Sequence, residues 1–274
     1  VVKWLVVMFL QTTYPLIHLT TYSFNHLITY FNMIINSKNL THRQLNEKIR
    51  DAVSKGVKEI TIENVNGQRY IVSGLKADVK IKIHGVAGND LGSFMSGPEI
   101  NVYGNAQDCI ANTMDSGKIV IHGSVGDILS YGMRGGKIFV RDNAGYRVGI
   151  HMKSYKETTP VIVIGGCVRD FFAEYMAGGI VILLGLDENE EIAGNFIGTG
   201  MHGGTIYIKG NVKKHQLGRE VDVVKFDETD EAILKKHLSE FCGDFKLDYK
   251  KIVSQKFIKL KSLHSRPYGK IYAY

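Results

Sequence analysis

Proline and cysteine are both scarce in this chain. Four prolines in 274 residues, with a mean hydropathy of −0.06, exclude a disordered, low-complexity or collagen-like polymer. The three cysteines, at 109, 167 and 242, are an odd and widely spaced set. They make no disulfide framework, and no CxxC or HxxxH pair supplies structural zinc ligands. A reducing, cytoplasmic setting is therefore expected. Long apolar runs are missing too. Trp4 to Leu10 is followed at once by Gln11, Thr12 and Thr13, far short of the roughly 18–20 residues that span a bilayer. No convincing small-residue cleavage site follows it, so neither a membrane span nor a signal peptide is expected. Because Met33 precedes the first well-patterned segment, residues 1–32 read as a non-native or mis-called leader.

The net charge of +7 suggests nucleic acid until it is mapped. Residues 78–210 carry 11 Lys and Arg against 14 Asp and Glu, whereas residues 246–274 carry 8 against 1. A basic tail beside an acidic body is not a basic groove, and no nucleic-acid partner is expected.

What the chain has in excess is glycine. Of its 30 glycines, 24 fall between 78 and 210, and they mark a repeat. Six-residue strand candidates end at Gly85, Gly104, Gly123, Asp142, Gly166, Gly185 and Gly210, at spacings of 19, 19, 19, 24, 19 and 25 residues. Ten residues after each of the first five ends stands Met95, Met114, Met133, Met152 or Met176, and Met201 holds that place in the sixth unit after an insertion around Glu188 to Ala193. The units have no room for crossover helices, which excludes an α/β parallel sheet. One short strand every 19–25 residues is the signature of a stacked solenoid. The fold class predicted is an all-β core: a right-handed parallel β-helix of about seven coils, with a small N-terminal α/β segment and a C-terminal helix. Alternate strand residues such as Ile81 and Ile83 or Ile100 and Val102 point inward, and the methionines fill the same core. Glycines serve corners that need positive φ or close backbone approach.

The flanks have their own patterns. Residues 33–77 read as strand–helix–strand, with Thr41 capping a helix to about Ser54 and Gly56 ending it. Residues 78–210 form the β-helix, and 211–274 a helix and basic tail. Asp227 to Cys242 reads as the helix, with Asp227 or Thr229 at its N-cap, Gly243 as its stop and a stripe of Ile233, Leu234, His237, Leu238 and Phe241 buried against the open end or one face of the solenoid. The lysines after it stay available for an acidic partner, so truncation after Gly243 is expected to leave a folded protein that no longer docks.

Three features imitate active sites. Val161 to Arg169 opens like a dinucleotide fold but lacks the third glycine, and it is in phase with the repeat. Asp108, Asp127 and Asp170, with Asn89, occupy one repeat position, where stacked carboxylates bind Ca²⁺ in β-helix pectin-cleaving enzymes; capping of backbone N–H groups is the preferred role. His84 and His122 share another position with Tyr103 between them, too far apart for one zinc. No catalytic, cofactor-binding or metal-ligating residue is expected.

The run from Gly67 to Gly210 resembles the glycine-repeat domain at the C-terminal end of the glutamate synthase large chain, in its free-standing archaeal and bacterial form. The resemblance rests on GQRYIVSGL (67–75), GNDLGSFMSGP (88–98), GNAQD (104–108), NTMDSGKIVIHG (112–123), MRGGKIF (133–139), GYRVGIHMK (145–153), AEYMAGG (173–179), GTGMHGG (198–204), HQLG (215–218) and SRPYGK (265–270). It implies a scaffold without its own reaction. The partners it implies are a glutamine amidotransferase subunit and an FMN-containing glutamate synthase subunit, which together make glutamate from glutamine and 2-oxoglutarate. FMN and the iron–sulfur cluster belong to those subunits, and none is expected in this chain. Candidate partner-interface residues within the motifs are Arg69, Tyr146, Arg147, His151, Lys153, Arg266 and Tyr268. The alternatives are the β-helix subunit of formylmethanofuran dehydrogenase or another redox complex and, more remotely, a β-helix polysaccharide enzyme.

Overall fold

The computed structural model describes residues 32–186 and 191–263. Residues 1–31 of the expected leader, Arg266 and Tyr268 lie outside those residues, and Asn32, the leader's last residue, opens the first strand.

The N-terminal segment forms as its sequence predicts. Strand β1 (Asn32–Asn36), helix α1 (His42–Ser54) and strand β2 (Glu59–Asn66) are a βαβ unit with parallel strands. Thr41 and Gln44 close a capping box at the start of α1, and Gly56 takes φ +85° just past its end. Leu45, Ile49 and Ala52 turn into the core. The opposite side of α1 is exposed and charged.

Seven further parallel strands stack onto β2: β3 (Lys80–Val86), β4 (Glu99–Tyr103), β5 (Lys118–Ile121), β6 (Lys137–Val140), β7 (Val161–Ile164), β8 (Ala177–Leu183) and β9 (Gly203–Lys209). Six turns join these seven strands, one fewer than the coil number expected, and the segment leading from β2 into β3 adds a seventh pass to the opposite wall. The register aligns Ile81, Ile100, Ile119, Ile138, Ile162, Val181 and Ile206 in one inward column. The next column holds Ile83, Val102, Ile121, Val140, Ile164, Leu183 and Ile208. Every member is fully buried, and so are all six repeat methionines. Each such side chain contributes roughly 1.5–3 kcal/mol of burial.

The wall opposite the strands is not a sheet. In each coil, three residues at alternate positions take left-handed φ: Asp90, Gly92 and Phe94, for example, then Cys109, Ala111 and Thr113. The outer two donate N–H bonds to the following coil and the middle one to the preceding coil. Thus Cys109 donates to Asp127, Thr113 to Tyr131, and Ala111 back to Leu91. Left-handed backbone is unfavourable for L-residues, and for β-branched residues such as Thr113 and Ile128 it is exceptional. Inter-coil hydrogen bonding of every alternate amide offsets that cost.

Both ends of this wall are closed by side chains. At the first coil Asn46 Oδ1 accepts the Val72 N–H at 3.0 Å, and Arg50 of α1 donates to the Ser73 carbonyl. At the last, Glu220 accepts the Gly200 N–H at 3.0 Å.

The C-terminal region differs from expectation in two ways. Helix α2 (Glu228–Phe245) starts at Asp227 as predicted but runs through Gly243 and stops at Lys246, φ +55°. Gly243 sits in an ordinary helical turn and ends nothing. Of the two places expected for its stripe, α2 takes a face of the sheet and not the open end. Leu234, Leu238, Phe241 and Cys242 pack on Phe139, Val161, Val163, Ile182, Leu184 and Tyr207. Second, the supposed tail is structural. After the short helix α3 (Tyr249–Val253), strand β11 (Phe257–Ser262) pairs antiparallel with β9, and β10 (Val221–Val224) pairs with β11. The open edge of β9 is thereby covered. Lys259 is not free for a partner: it is 5% exposed and bonded to Asp230 at 2.7 Å and Asp227 at 3.1 Å.

Candidate interaction surface

The corner between each strand and the left-handed wall is built by two polar ladders. In the first, an acidic or amide side chain accepts the backbone N–H of the same position one coil later. Asp127 N–H bonds to Asp108 Oδ1 at 2.9 Å, Tyr146 N–H to Asp127 Oδ1 at 2.9 Å, and Asn195 N–H to Asp170 Oδ1 at 2.7 Å. The second runs through Asn105, Ser124 and Asn143, which accept from Ser124, Asn143 and Cys167. The aspartates are therefore caps, as preferred from the sequence. Among the described residues, no cluster of three or more His, Cys, Asp and Glu is placed to hold a metal ion.

The same ladders explain the glycines. A Cβ on Gly126 would lie 2.0 Å from Asp108 Oδ1, and one on Gly145 2.1 Å from Asp127 Oδ1. Gly123 and Gly166 are held in the same way by Asn105 and Asn143. Asp142 replaces glycine where the ladder residue of the preceding coil is Ser124, a shorter side chain than Asn105 or Asn143. Close approach, more than positive φ, is what these corners demand.

A model of the GXGXG motif matches residues 29–265. The chain belongs to the GXGXG family. This is the family of the C-terminal domain of the glutamate synthase large chain. An uncharacterized protein, MJ1350, from Methanocaldococcus jannaschii is 50% identical over 250 residues, covering 88% of this chain and 96% of the relative.

On the GXGXG solenoid the candidate interface residues separate into groups. Tyr146, Arg147, His151 and Lys153 lie on one coil of the left-handed wall. Arg69 occupies the same ladder position as Tyr146 but four coils earlier, about 19 Å away along the stack. Arg147 and His151 are themselves left-handed residues of that coil. The Arg147 guanidinium pairs with the buried Glu174 carboxylate and lies 4.7 Å from the Phe171 ring centre. Phe171 stacks on Phe196 at 4.9 Å, and His151 stacks on Tyr175 at 5.2 Å, with Tyr131 edge-on at 5.6 Å. Phe171, Phe196, Tyr175 and Tyr131 escaped the sequence search. For Phe171, Phe196 and Tyr175 the signal was available as large aromatics at wall positions where several other units carry Asp, Cys, Thr or Gly; Tyr131 lies beside those columns, at a position held elsewhere by Ser93 or Asn112.

The remaining GXGXG features are structural. His84, Tyr103 and His122 stack outward at 4.9 and 4.7 Å, and Phe245 of α2 closes the column at 5.1 Å. Burial lowers the His122 pKa. Burial, and then the carboxylates of Asp90, Asp108 and Asp127, push the Cys109 thiol up, which disfavours the nucleophilic thiolate. Val161 to Ile164 is strand β7 of the repeat, and Gly165 and Gly166 pack directly on Arg141, Asp142 and Asn143 of the preceding coil.

Proposed function

We propose that this chain is the non-catalytic scaffold subunit of a glutamate synthase-like complex, holding a glutamine amidotransferase and an FMN- and iron–sulfur-containing synthase subunit. The observation that carries it is a GXGXG match spanning the whole solenoid and both of its flanks. The ladder carboxylates resembling a reactive cluster are engaged with backbone amides, a role that builds a rigid body. Such a body presents fixed walls to its partners, which suits a part that positions other active sites.

Reconstitution tests the proposal. Glutamate formation from glutamine and 2-oxoglutarate by the two purified partner subunits should rise at least tenfold when this chain is added, while the chain alone releases no ammonia. Stoichiometric FMN on the isolated chain, or glutaminase turnover by it, would refute the scaffold role. Co-purification with a molybdenum or tungsten protein would instead assign it to a formylmethanofuran dehydrogenase-type complex.

A further inference from the structure

The left-handed wall is uniform in backbone but not in side chains. Its first column runs Tyr70, Asp90, Cys109, Ile128, Arg147, Phe171, Phe196, and its third runs Gly74, Phe94, Thr113, Gly132, His151, Tyr175, Gly200. Identical backbone geometry is thus achieved with Asp, Cys, Thr or Gly. The fold does not require aromatics there, yet over the fifth to seventh coils the wall carries Phe171, Tyr175 and Phe196, with Tyr131, Arg147 and His151 beside them. Phe196 is 49% and Tyr175 41% exposed. Bulky side chains held in a strained conformation, facing solvent and fixed by mutual stacking, make a preorganised contact surface.

Charge and ring orientation choose the occupant. Glu174 is buried and paired to Arg147, and Asp170 Oδ1 accepts the Asn195 amide. Lys153 and Arg169, on either side of the patch, are exposed and have no ion-pair partner among the described residues. Lys153 and Arg169 outweigh the one Asp170 carboxylate, so the rim is net positive by one charge. The rings stack in two pairs, Phe171 on Phe196 and His151 on Tyr175, so each gives up at least one face to its neighbour and leaves its edges available. Ring edges carry the positive end of the aromatic quadrupole and suit carbonyls, carboxylates and apolar side chains. Nucleobases and sugars need free ring faces, and at the centre of the patch Phe171 has none, with Phe196 on one side and the Arg147 guanidinium on the other.

We infer that the wall formed by Tyr131, Arg147, His151, Phe171, Tyr175 and Phe196 is a protein-docking site, and that its occupant is a partner segment with an apolar tip flanked by carboxylates. The identity of that partner as a synthase or amidotransferase subunit rests on the scaffold proposal; the site itself does not.

The test places the photo-reactive residue p-benzoylphenylalanine at position 196, or at position 94 as a control, in the full chain in its native host. Phe94 is 53% exposed in the same wall but lies outside the patch. Irradiation should link position 196, and not 94, to one protein, through a peptide rich in Asp, Glu and apolar residues. The variant Tyr175→Thr/Phe196→Asp uses residue types that the wall already holds at Thr113 and Asp90. It should melt within a few degrees of the parent and bind that protein at least tenfold more weakly, whereas Phe94→Thr binds unchanged. No protein adduct at 196, equal adducts at 94, an adduct with nucleic acid or with a second copy of this chain, or unchanged binding by the double variant would each overturn the docking site. An acidic partner that is neither subunit would sustain the site and overturn the scaffold proposal.

Discussion

Asp127 and Gly145 show how tightly the residues of the repeat depend on one another. Asp127 Oδ1 accepts the Tyr146 amide, and the same oxygen occupies the space that a Cβ on Gly145 would need. Asp127→Ala should cost about 1–2 kcal/mol by leaving that amide without its acceptor. Gly145→Ala should cost at least as much through collision. Combined, the two should cost less than their sum, because removal of the carboxylate takes away the nearest atom the new methyl meets and leaves only the Gly126 backbone at 2.9 Å. Urea denaturation of the four proteins measures the coupling, and strict additivity would contradict the ladder. The same capping role predicts that Ca²⁺ or EDTA leaves the melting temperature unchanged; a calcium-dependent rise of more than a few degrees would restore the metal-binding alternative.

Among the elements, α2 is the one whose attachment is most sensitive to chemistry. Lys118 reaches Glu240 at 3.0 Å and Asp244 at 2.6 Å, and Lys137 reaches Glu240 at 2.5 Å, tying the helix to strands β5 and β6. At its other end Asp230, 1% exposed, accepts from Tyr207 at 2.6 Å and from Lys259 at 2.7 Å. Burial alone pulls the Lys259 ammonium pKa down, but Asp230 and Asp227 more than offset it, so both partners stay charged. Lys259→Met would strand a buried carboxylate and should destabilise by about 3–5 kcal/mol, with Asp230→Asn/Lys259→Met recovering part of it. His237, buried on the same helix, is pushed down to about 4 by burial and then by Lys137 and Lys236. Its folded pKa lies below the roughly 6.5 of an unfolded chain, so its contribution is complete above pH 6.5 and lost as pH falls toward 4. The urea midpoint should drop across that window, and less so for His237→Leu.

At the scale of the whole molecule, the sheet is a single ladder from β1 to β9, followed by β11 and β10. Its ends are dressed differently. α1 closes the first coil's left-handed wall, while β11 folds back to pair with the last parallel strand. Truncation after Gly243 removes β11, exposes the edge of β9 and leaves Asp230 without Lys259. The shortened protein should aggregate or lose its cooperative melting transition, measured by light scattering and circular dichroism. A soluble, cooperatively melting fragment would show that β11 is dispensable. Among the described residues no helix is long and apolar enough to cross a membrane.

The strand period, the inward isoleucine columns, the methionine core and the capping aspartates were legible in the sequence. Each repeats at a fixed offset, and stacking turns a linear period into a spatial column. The helix N-caps at Thr41 and Asp227 were legible for a related reason: capping is a local interaction among neighbouring residues. The left-handed wall was not legible, because its conformation is sustained by hydrogen bonds to the coils above and below, and residues as unlike as Thr113, Ile128 and Phe171 accept it. Nor was the place of Lys259, whose charge reads as solvent-exposed until β11 pairs with β9 and α2 brings Asp230 over it. The sequence by itself determined the coil and its core. Tertiary structure decided which surface residues became walls, which charges were buried, and how the two ends were closed, since all three depend on contacts between segments 20 to 100 residues apart.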